Sequence, residues 1–402
     1  MNAAHRSLLL DFINLPTAPF TETAPLSFIR AFVRNRPALS LREDESGNLR
    51  VRYRRGRATV RRPVLFAGHL DHPGFVAQRM IDARTLRAVW RGGVRPEYFP
   101  GARVRFWSNG RRIAGRIVET YPSVAAASRR RAAPARRSKA ARRWASSAVG
   151  VEPPDAVHLH VPREIAPGSV GMWDLPDAQV RGNLLRSRAC DDVAGVAAIL
   201  CALDHLCRTR AAGECWALFT RAEEVGFGGA LAACAAGFVP RRCVVVAVEC
   251  SRVIPGVTMG GGPVLRVGDK ATIFTPGATA FCRSVAEDLG REDSSFTFQR
   301  KLMDGGTCES TVYCHYGYGA TGICLPLLNY HNMDTDRRRL APEIIDLRDF
   351  EGLVKWFIAL ARSGRRYDGS HPGLGDRLES LQRRHRPMLL RSRIRPPRRI
   401  WG

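Results

Sequence analysis

The pattern of apolar and polar positions divides this chain into three textures. From Asp192 onward, apolar stretches of helical and strand length alternate. DVAGVAAILCALDHLCRT predicts a buried helix, CWALFT a strand, GGALAACAA a helix and CVVVAVE a buried strand. ATAFCRSVAEDLG then predicts a helix, ATGICLPLL a strand, and APEIIDLRDFEGLVKWFIALARS one long amphipathic helix. Strands separated by helices imply a largely parallel sheet covered on its faces. At the other end, LLLDFINL and LSFIRAFVRN carry apolar residues at helical spacing and predict helix over residues 6–35, followed by strands at SGNLRVRYRR and PVLFAGHLDHPGFVA. Between about Gly74 and Val180 the segments TLRAVWRGG, ARVRFWSNGRRIAGRIVET and AVHLHVP alternate over short lengths between Gly, Pro and Asn-Gly turns, which predicts a small all-β unit. The expected fold is therefore α/β. A mostly parallel-sheet domain flanked by helices covers 1–73 and 181–365, an all-β domain is inserted at 74–180, and a tail follows at 366–402.

Composition and charge narrow the class. No run approaches the about 18 apolar residues of a membrane-spanning helix. Asp11 interrupts the apolar N-terminal stretch and no small-residue cleavage site follows it, so no signal peptide is expected. The eleven cysteines form no CxxC pair, and several, such as Cys243 and Cys250, lie in apolar runs. That usage fits reduced, buried thiols in a cytoplasmic protein. The formal net charge is +26, and only four of the basic residues are lysines. The excess gathers in SRRRAAPARRSKAARRW, inside a low-complexity loop at 124–148, and in LQRRHRPMLLRSRIRPPRRIWG at the end. Both are expected to be flexible, solvated appendages; the competing reading is a surface for nucleic acid or another anionic partner.

The candidate chemistry lies where predicted strands end, which is where open α/β sheets place their active sites. His69 and Asp71 end VLFAGHLD, Glu223 and Glu224 end CWALFTRAEE, Glu249 ends VVVAVE, and His331 ends TGICLPLLNYH. Asp191 and Asp192 open the helix after the β unit. Any one of these has a plain reading as a turn residue, a helix cap or a satisfied histidine. Together they converge on one edge. Two histidines with several carboxylates and no cysteine suit a divalent ion such as zinc, cobalt or manganese. The surplus of acids favours two ions bridged by a carboxylate and a water that attacks a carbonyl. A carboxylate outside the ligand set must then carry that water's proton to the leaving amine. Because neighbouring strand residues point to opposite faces, Glu223 and Glu224 are expected to divide these tasks.

In chain order, GHLDHPGF, ACDDVAGVA, TRAEEVGFGGA, VVVAVECS, GGTCEST and GICLPLLNYHNM resemble the glutamyl/tetrahedral aminopeptidases over about residues 5–362. These are zinc-exopeptidase-like di-metal enzymes whose α/β catalytic domain carries an inserted β domain. The resemblance implies His69 as a terminal ligand oriented by Asp71, Asp191 as the bridging ligand with Asp192 shaping the turn, Glu224 and His331 as ligands, and Glu223 as general base. Glu249 stands at a ligand position where the family usually has aspartate. GGTCEST departs from Gly-Gly-Thr-Asp, leaving Cys308 or Glu309 in the acidic place. Glu309 is either a receptor for the substrate's free α-amine or a solvated loop residue. The implied protein is a cytoplasmic metallo-aminopeptidase acting on short peptides as a homo-oligomer, with two ions, Zn²⁺ or else Co²⁺ or Mn²⁺. The arginine-rich insert and tail have no counterpart in that pattern. The alternatives are a di-metal amidohydrolase or deacylase for N-acyl substrates, and a catalytically weak scaffold that binds nucleic acid or anionic surfaces through its arginine-rich segments.

Overall fold

The computed structural model of the chain describes residues 1–56, 62–122, 153–363, 367 and 374–391. Helix α1 (Ala3–Ile13) is capped by Asn2, whose side chain accepts the N–H of His5 at 2.8 Å. Pro16 and Pro19 split the helical stretch predicted over 6–35, and α2 (Thr23–Arg34) starts beyond them. Strands β1 (Leu39–Glu43) and β2 (Leu49–Arg55) pair antiparallel. In β2 the alternation is plain: Leu49, Val51 and Tyr53 are buried, and the arginines between them are not. β3 (Val64–His69) is buried at every position, as a central strand should be.

The next six strands are β4 (Gly74–Met80), β5 (Thr85–Arg91), β6 (Arg103–Ser108), β7 (Arg111–Pro122), β8 (Pro154–His160) and β9 (Val170–Trp173). They close into a barrel in the order β4-β5-β8-β7-β6-β9. Aromatic rings fill it: Phe75 and Trp90 lie 4.6 Å apart between centroids, and Phe99 and Trp173 5.3 Å, both edge to face. The basic loop expected at 124–148, between β7 and β8, falls outside the described residues.

After the barrel come β10 (Gln179–Arg181), β11 (Leu184–Ser187), α3 (Val193–Thr209), β12 (Gly213–Thr220), α4 (Gly228–Ala235), β13 (Val244–Arg252) and β14 (Val264–Asp269). Then follow α5 (Pro276–Glu292), β15 (Gln299–Met303), α6 (Glu309–His315) and β16 (Ala320–Leu327). The short strands β17 (Met333–Asp334), β18 (Arg339–Leu340) and β19 (Glu343–Asp346) precede α7 (Leu347–Arg362) and α8 (Leu374–Arg391). The main sheet has the order β1-β2-β12-β3-β13-β16-β14-β15, and its four central strands β12, β3, β13 and β16 run parallel. The fold is mixed α/β with a mostly parallel central sheet.

Period-two side-chain direction distributes the core over both faces. Val64 and Phe66 of β3, with Val246 of β13, join Leu200 of α3 and Trp356 of α7 in the larger cluster. Leu65 and Ala67, with Val245, join Ala233 of α4 and Val312 of α6 on the other side. Truncating a fully buried residue such as Leu200 to alanine would cost roughly 2–5 kcal/mol.

Three expectations need correction. APEIIDLRDF does not begin the last long helix: Glu343–Asp346 form β19, paired antiparallel with β11, and Asp346 caps α7 by accepting the N–H of Arg348 at 2.8 Å. Tertiary pairing overrides the helical pattern there. The edge strands β1 and β15 carry too many charges to show an apolar pattern, and the sequence reading passes over them. Of the basic tail expected to be flexible and solvated, residues 374–391 form a helix with every side chain exposed, whereas Tyr367 is buried. All eleven cysteines are free thiols. Among the described residues no helix is long and apolar enough to cross a membrane.

Candidate metal centre

The parallel strands deliver the candidate side chains to their carboxyl edge. His69 is the last residue of β3, Glu249 lies within β13, and Asp191 follows β11 just before α3. His331 sits in the turn after β16 with φ +54°, between Asn329 at +56° and Asn332 at +64°. Three left-handed residues in so short a span fold the chain back over the strand ends. Glu223 and Glu224 lie beyond the end of β12, after Ala222 at φ +53°. The chain has left strand geometry before it reaches them, so strand alternation does not separate the pair. Both carboxylates bring an oxygen into one cluster with His69. Gly229 lets the next turn close, since a Cβ there would collide with the backbone of Arg221.

Two triads of ligand-type atoms share one residue. His69, Asp191 and Glu249 form the first, and Asp191, Glu224 and His331 the second, each with its donor atoms within 4.8 Å of one another. The Asp191 carboxylate faces both histidines: Oδ1 is 3.6 Å from His69 Nε2 and Oδ2 is 3.8 Å from His331 Nε2. Glu249 Oε2 lies 3.7 Å from His69 Nε2, and Glu224 Oε2 lies 3.1 Å from His331 Nε2. A third grouping, His69 with Glu223 and Glu224, overlaps both triads. It takes one residue from each triad, and its Glu223 Oε2 is 3.9 Å from His69 Nε2.

The ring nitrogens that face away from the cavity fix the tautomers. His69 Nδ1 donates to the Asp71 carbonyl at 3.1 Å, and His331 Nδ1 donates to the Gly93 carbonyl at 2.7 Å. A carbonyl can only accept, so each ring turns Nε2 inward. Glu224 Oε1 and Glu249 Oε1 are buried without a hydrogen-bond partner among the described residues. Orphaned carboxylate oxygens beside two inward-facing imidazole nitrogens fit a divalent cation.

The protonation pattern agrees with that fit. Burial opposes the charge on His331, but Glu224, Asp191 and the Gly93 carbonyl together outweigh it and the imidazole is pushed up to about 9. His69 is likewise held well above its ordinary value against burial, by Glu223, Asp191, Asp71 and Glu249. Burial pushes Glu223 well above the usual glutamate range and raises Glu249. Asp191 is lowered despite its burial, by the two histidines it faces. In such a cluster protons do the neutralising that cations would do, and cation binding would release them.

Around the triads lies a ring of buried polar groups. The Asp71 carboxylate accepts the N–H of Glu223 on Oδ1 and of Glu224 on Oδ2, and Oδ1 is 3.6 Å from His69 Nδ1. It therefore positions three candidate groups and touches no open space. Asp192 is buried beneath the triads, where a Cβ at Gly195 would strike its Oδ1. Glu309, the candidate α-amine receptor, is only 2% exposed at the start of α6 and takes a 3.3 Å hydrogen bond from Tyr313. Burial pushes its carboxyl up to about 7. Cys308 precedes it as the residue capping α6 and donates its N–H to Asp269. Two further residues hold the site and escape the sequence reading. His72 Nδ1 donates to the Asp191 carbonyl at 2.8 Å, and Glu343 accepts three backbone N–H groups at the site. His72 is visible within GHLDHPGF but shows no distinguishing pattern, and Glu343 is masked by its helical-looking segment.

A cavity of about 250 Å³ opens against Asp191 and Glu249. Arg95 of the barrel, Arg252, Arg266, Tyr330 and Met333 line it, together with Gly305–Thr307, while Glu309 is not among the lining residues.

Known proteins resemble the chain in sequence and in fold. A curated putative aminopeptidase of Acetivibrio thermocellus is 28% identical over 163 residues, which cover 39% of this chain and 47% of the relative. The chain thus spans about half the length of the curated relative it matches. Among solved structures, the TET1 peptidase of Pyrococcus horikoshii superposes with a TM-score of 0.67 at 21% identity, over 89% of this chain and 99% of that one. An aminopeptidase of Desulfurococcus kamchatkensis gives 0.67 at 22% identity, over 89% and 94%. A TET aminopeptidase from a marine-sediment thaumarchaeon gives 0.68 at 18% identity, over 89% and 97%. At these identities the superpositions establish the shared fold. The family model described as M42 glutamyl aminopeptidase matches residues 47–351, and the chain belongs to that family.

Proposed function

We propose that the chain is a metal-dependent aminopeptidase that releases N-terminal residues from short peptides. The observation that carries this reading is the pair of triads joined at Asp191, with Glu223 beside them. His69, Asp191 and Glu249 would hold one divalent ion, and Asp191, Glu224 and His331 a second. Two such ions supply Lewis acidity at the scissile carbonyl and a water of lowered pKa. Everything else falls to the chain's own side chains. Glu223 is a desolvated carboxylate with a raised proton affinity, suited to taking a proton and delivering it to the leaving amine. Asp71 fixes the backbone from which Glu223 and Glu224 project. The outward hydrogen bonds of His69 and His331 keep both rings aimed.

The donor set of carboxylates and imidazoles favours zinc, with cobalt and manganese as alternatives. Glu249 in place of the family's usual aspartate reaches its triad through one more methylene. We treat 74–180 as an inserted β domain, since the barrel strands fall within that span. Assembly into a homo-oligomer is proposed because a related TET1 peptidase assembles into a tetrahedron or a large octahedral shell. A cytoplasmic site of action fits the free thiols.

The test is metal content together with turnover. Protein loaded with zinc or cobalt should hold two equivalents and release the first residue of an unblocked peptide, but not of the same peptide N-acetylated. Loaded protein that cleaves no unblocked peptide across several N-terminal side chains would sink the reading. Cleavage of the acetylated peptide alone would assign it to deacylases.

A further inference from the structure

Glu343 has no role in the chemistry above, yet it is fully buried beside it. It opens β19, and its place is set by the antiparallel pairing of that strand with β11 through Ser187. Its Oε2 accepts the N–H of Cys190 at 2.6 Å and of Asp191 at 3.1 Å. Its Oε1 accepts the N–H of His331 at 2.8 Å. One carboxylate thus ties together two loops that the sequence keeps far apart, and each loop carries a candidate ligand of the second triad.

We propose that Glu343 is a positioning residue that sets the separation of Asp191 and His331, and with it the affinity of the second cation site. The proposal rests on reading Asp191 and His331 as ligands. Three considerations support it. First, a buried carboxylate with no ion pair among the described residues is costly, and a packing role would be filled more cheaply by an apolar side chain. What a carboxylate adds is direction, here toward three N–H groups. Second, His331 sits in the left-handed region at φ +54°, so its backbone needs an anchor. Third, the link is doubled from the opposite side. His72 donates to the Asp191 carbonyl at 2.8 Å, and its Nε2 lies 3.2 Å from Oδ1 of Asn332, the neighbour of His331. The backbone of Asp191 is therefore held at both its N–H and its C=O, and each hold leads to the His331 turn.

The experiment is a zinc titration of metal-free protein against a chromophoric chelator, for wild type, E343Q and E343D. It is run beside calorimetric melting of the metal-free forms and steady-state kinetics on an unblocked peptide. E343Q keeps the shape but turns one acceptor oxygen into an N–H₂ that faces an N–H donor. The second equivalent should bind about 10- to 100-fold more weakly in E343Q, with the first unchanged. At limiting zinc kcat should fall and KM stay near the wild-type value. E343D, with both oxygens withdrawn by one methylene, should fall between. A residue that served only the fold would lower the melting temperature of the metal-free protein and leave the titration unchanged. That result in E343Q overturns the proposal. Failure of both variants to fold overturns it as well, because Glu343 would then serve the core before the site. A wild type that binds a single equivalent removes the two-triad reading itself, and this proposal with it. Two equivalents in wild type and the same two at unchanged affinity in E343Q remove this proposal alone.

Discussion

Asp71 accepts the backbone N–H of Glu223 at 3.0 Å through one carboxylate oxygen, and its other oxygen takes the next N–H at 3.1 Å. The side chain two residues after the first candidate ligand thus builds the platform for the candidate general base. Asp71→Asn would set an amide N–H₂ against one of those N–H groups. Turnover should fall by about 10- to 100-fold and zinc should bind more weakly, since His69 and Glu224 share the same support. Metal analysis alongside kcat checks this; wild-type turnover and zinc affinity in the variant would contradict it.

The two adjacent glutamates should respond differently to the same change. Glu223→Gln removes the proton carrier and should lower kcat by roughly 10²- to 10⁴-fold with metal retained. Glu224→Gln takes an anionic donor from the second triad and should weaken zinc binding as well. Chelator competition on both variants separates the two roles, and identical behaviour would refute the assignment.

Stability of the metal-free protein should fall as pH rises. Burial pushes Glu309 up to about 7 in the fold, against an ordinary value of 4.5, and raises Glu223 and Glu249 as well. At acid pH both folded and unfolded chains hold these protons, and the full stability is present. As pH climbs through about 7 the unfolded chain has already released protons that the fold retains, and the contribution is lost. His331, held up to about 9, acts with the same sign. Chelator-treated protein should therefore melt lower at about pH 9 than at about pH 6, and zinc should flatten the slope by taking the place of the protons. A flat profile without metal would contradict the burial of these groups.

Removing residues 374–402 should leave the site intact. Every described side chain of α8 is exposed and none joins a core cluster. Activity on a small unblocked substrate should change by no more than about twofold, in line with surface changes of about 0.5 kcal/mol. A large loss would mean that the tail reaches the cleft or an assembly contact.

The strand ends were legible in the sequence because the chemistry repeats there: His69, Glu249 and His331 each terminate or follow an unbroken apolar run. The geometry of the glutamate pair was not. Strand alternation predicts opposite faces, whereas Ala222 turns the backbone out of β12 and Asp71 gathers both amides. Glu343 lay hidden for a different reason. Its partners are amides, one of them 152 residues away, and amides carry no sequence signature. β19 was lost because Ile344 and Ile345 continue the apolar spacing of the helix behind them, and only pairing with β11 shows them to be a strand.

The hydrogen bond from His331 Nδ1 to the Gly93 carbonyl crosses from the α/β body to the loop between β5 and β6 of the barrel. One wall of the ionic site is therefore borrowed from a unit that has its own, separate aromatic core. Damage to that core need not unfold the sheet to be felt. It would reach the reaction as a loss of imidazole aim, so a barrel lesion would present as a metal defect.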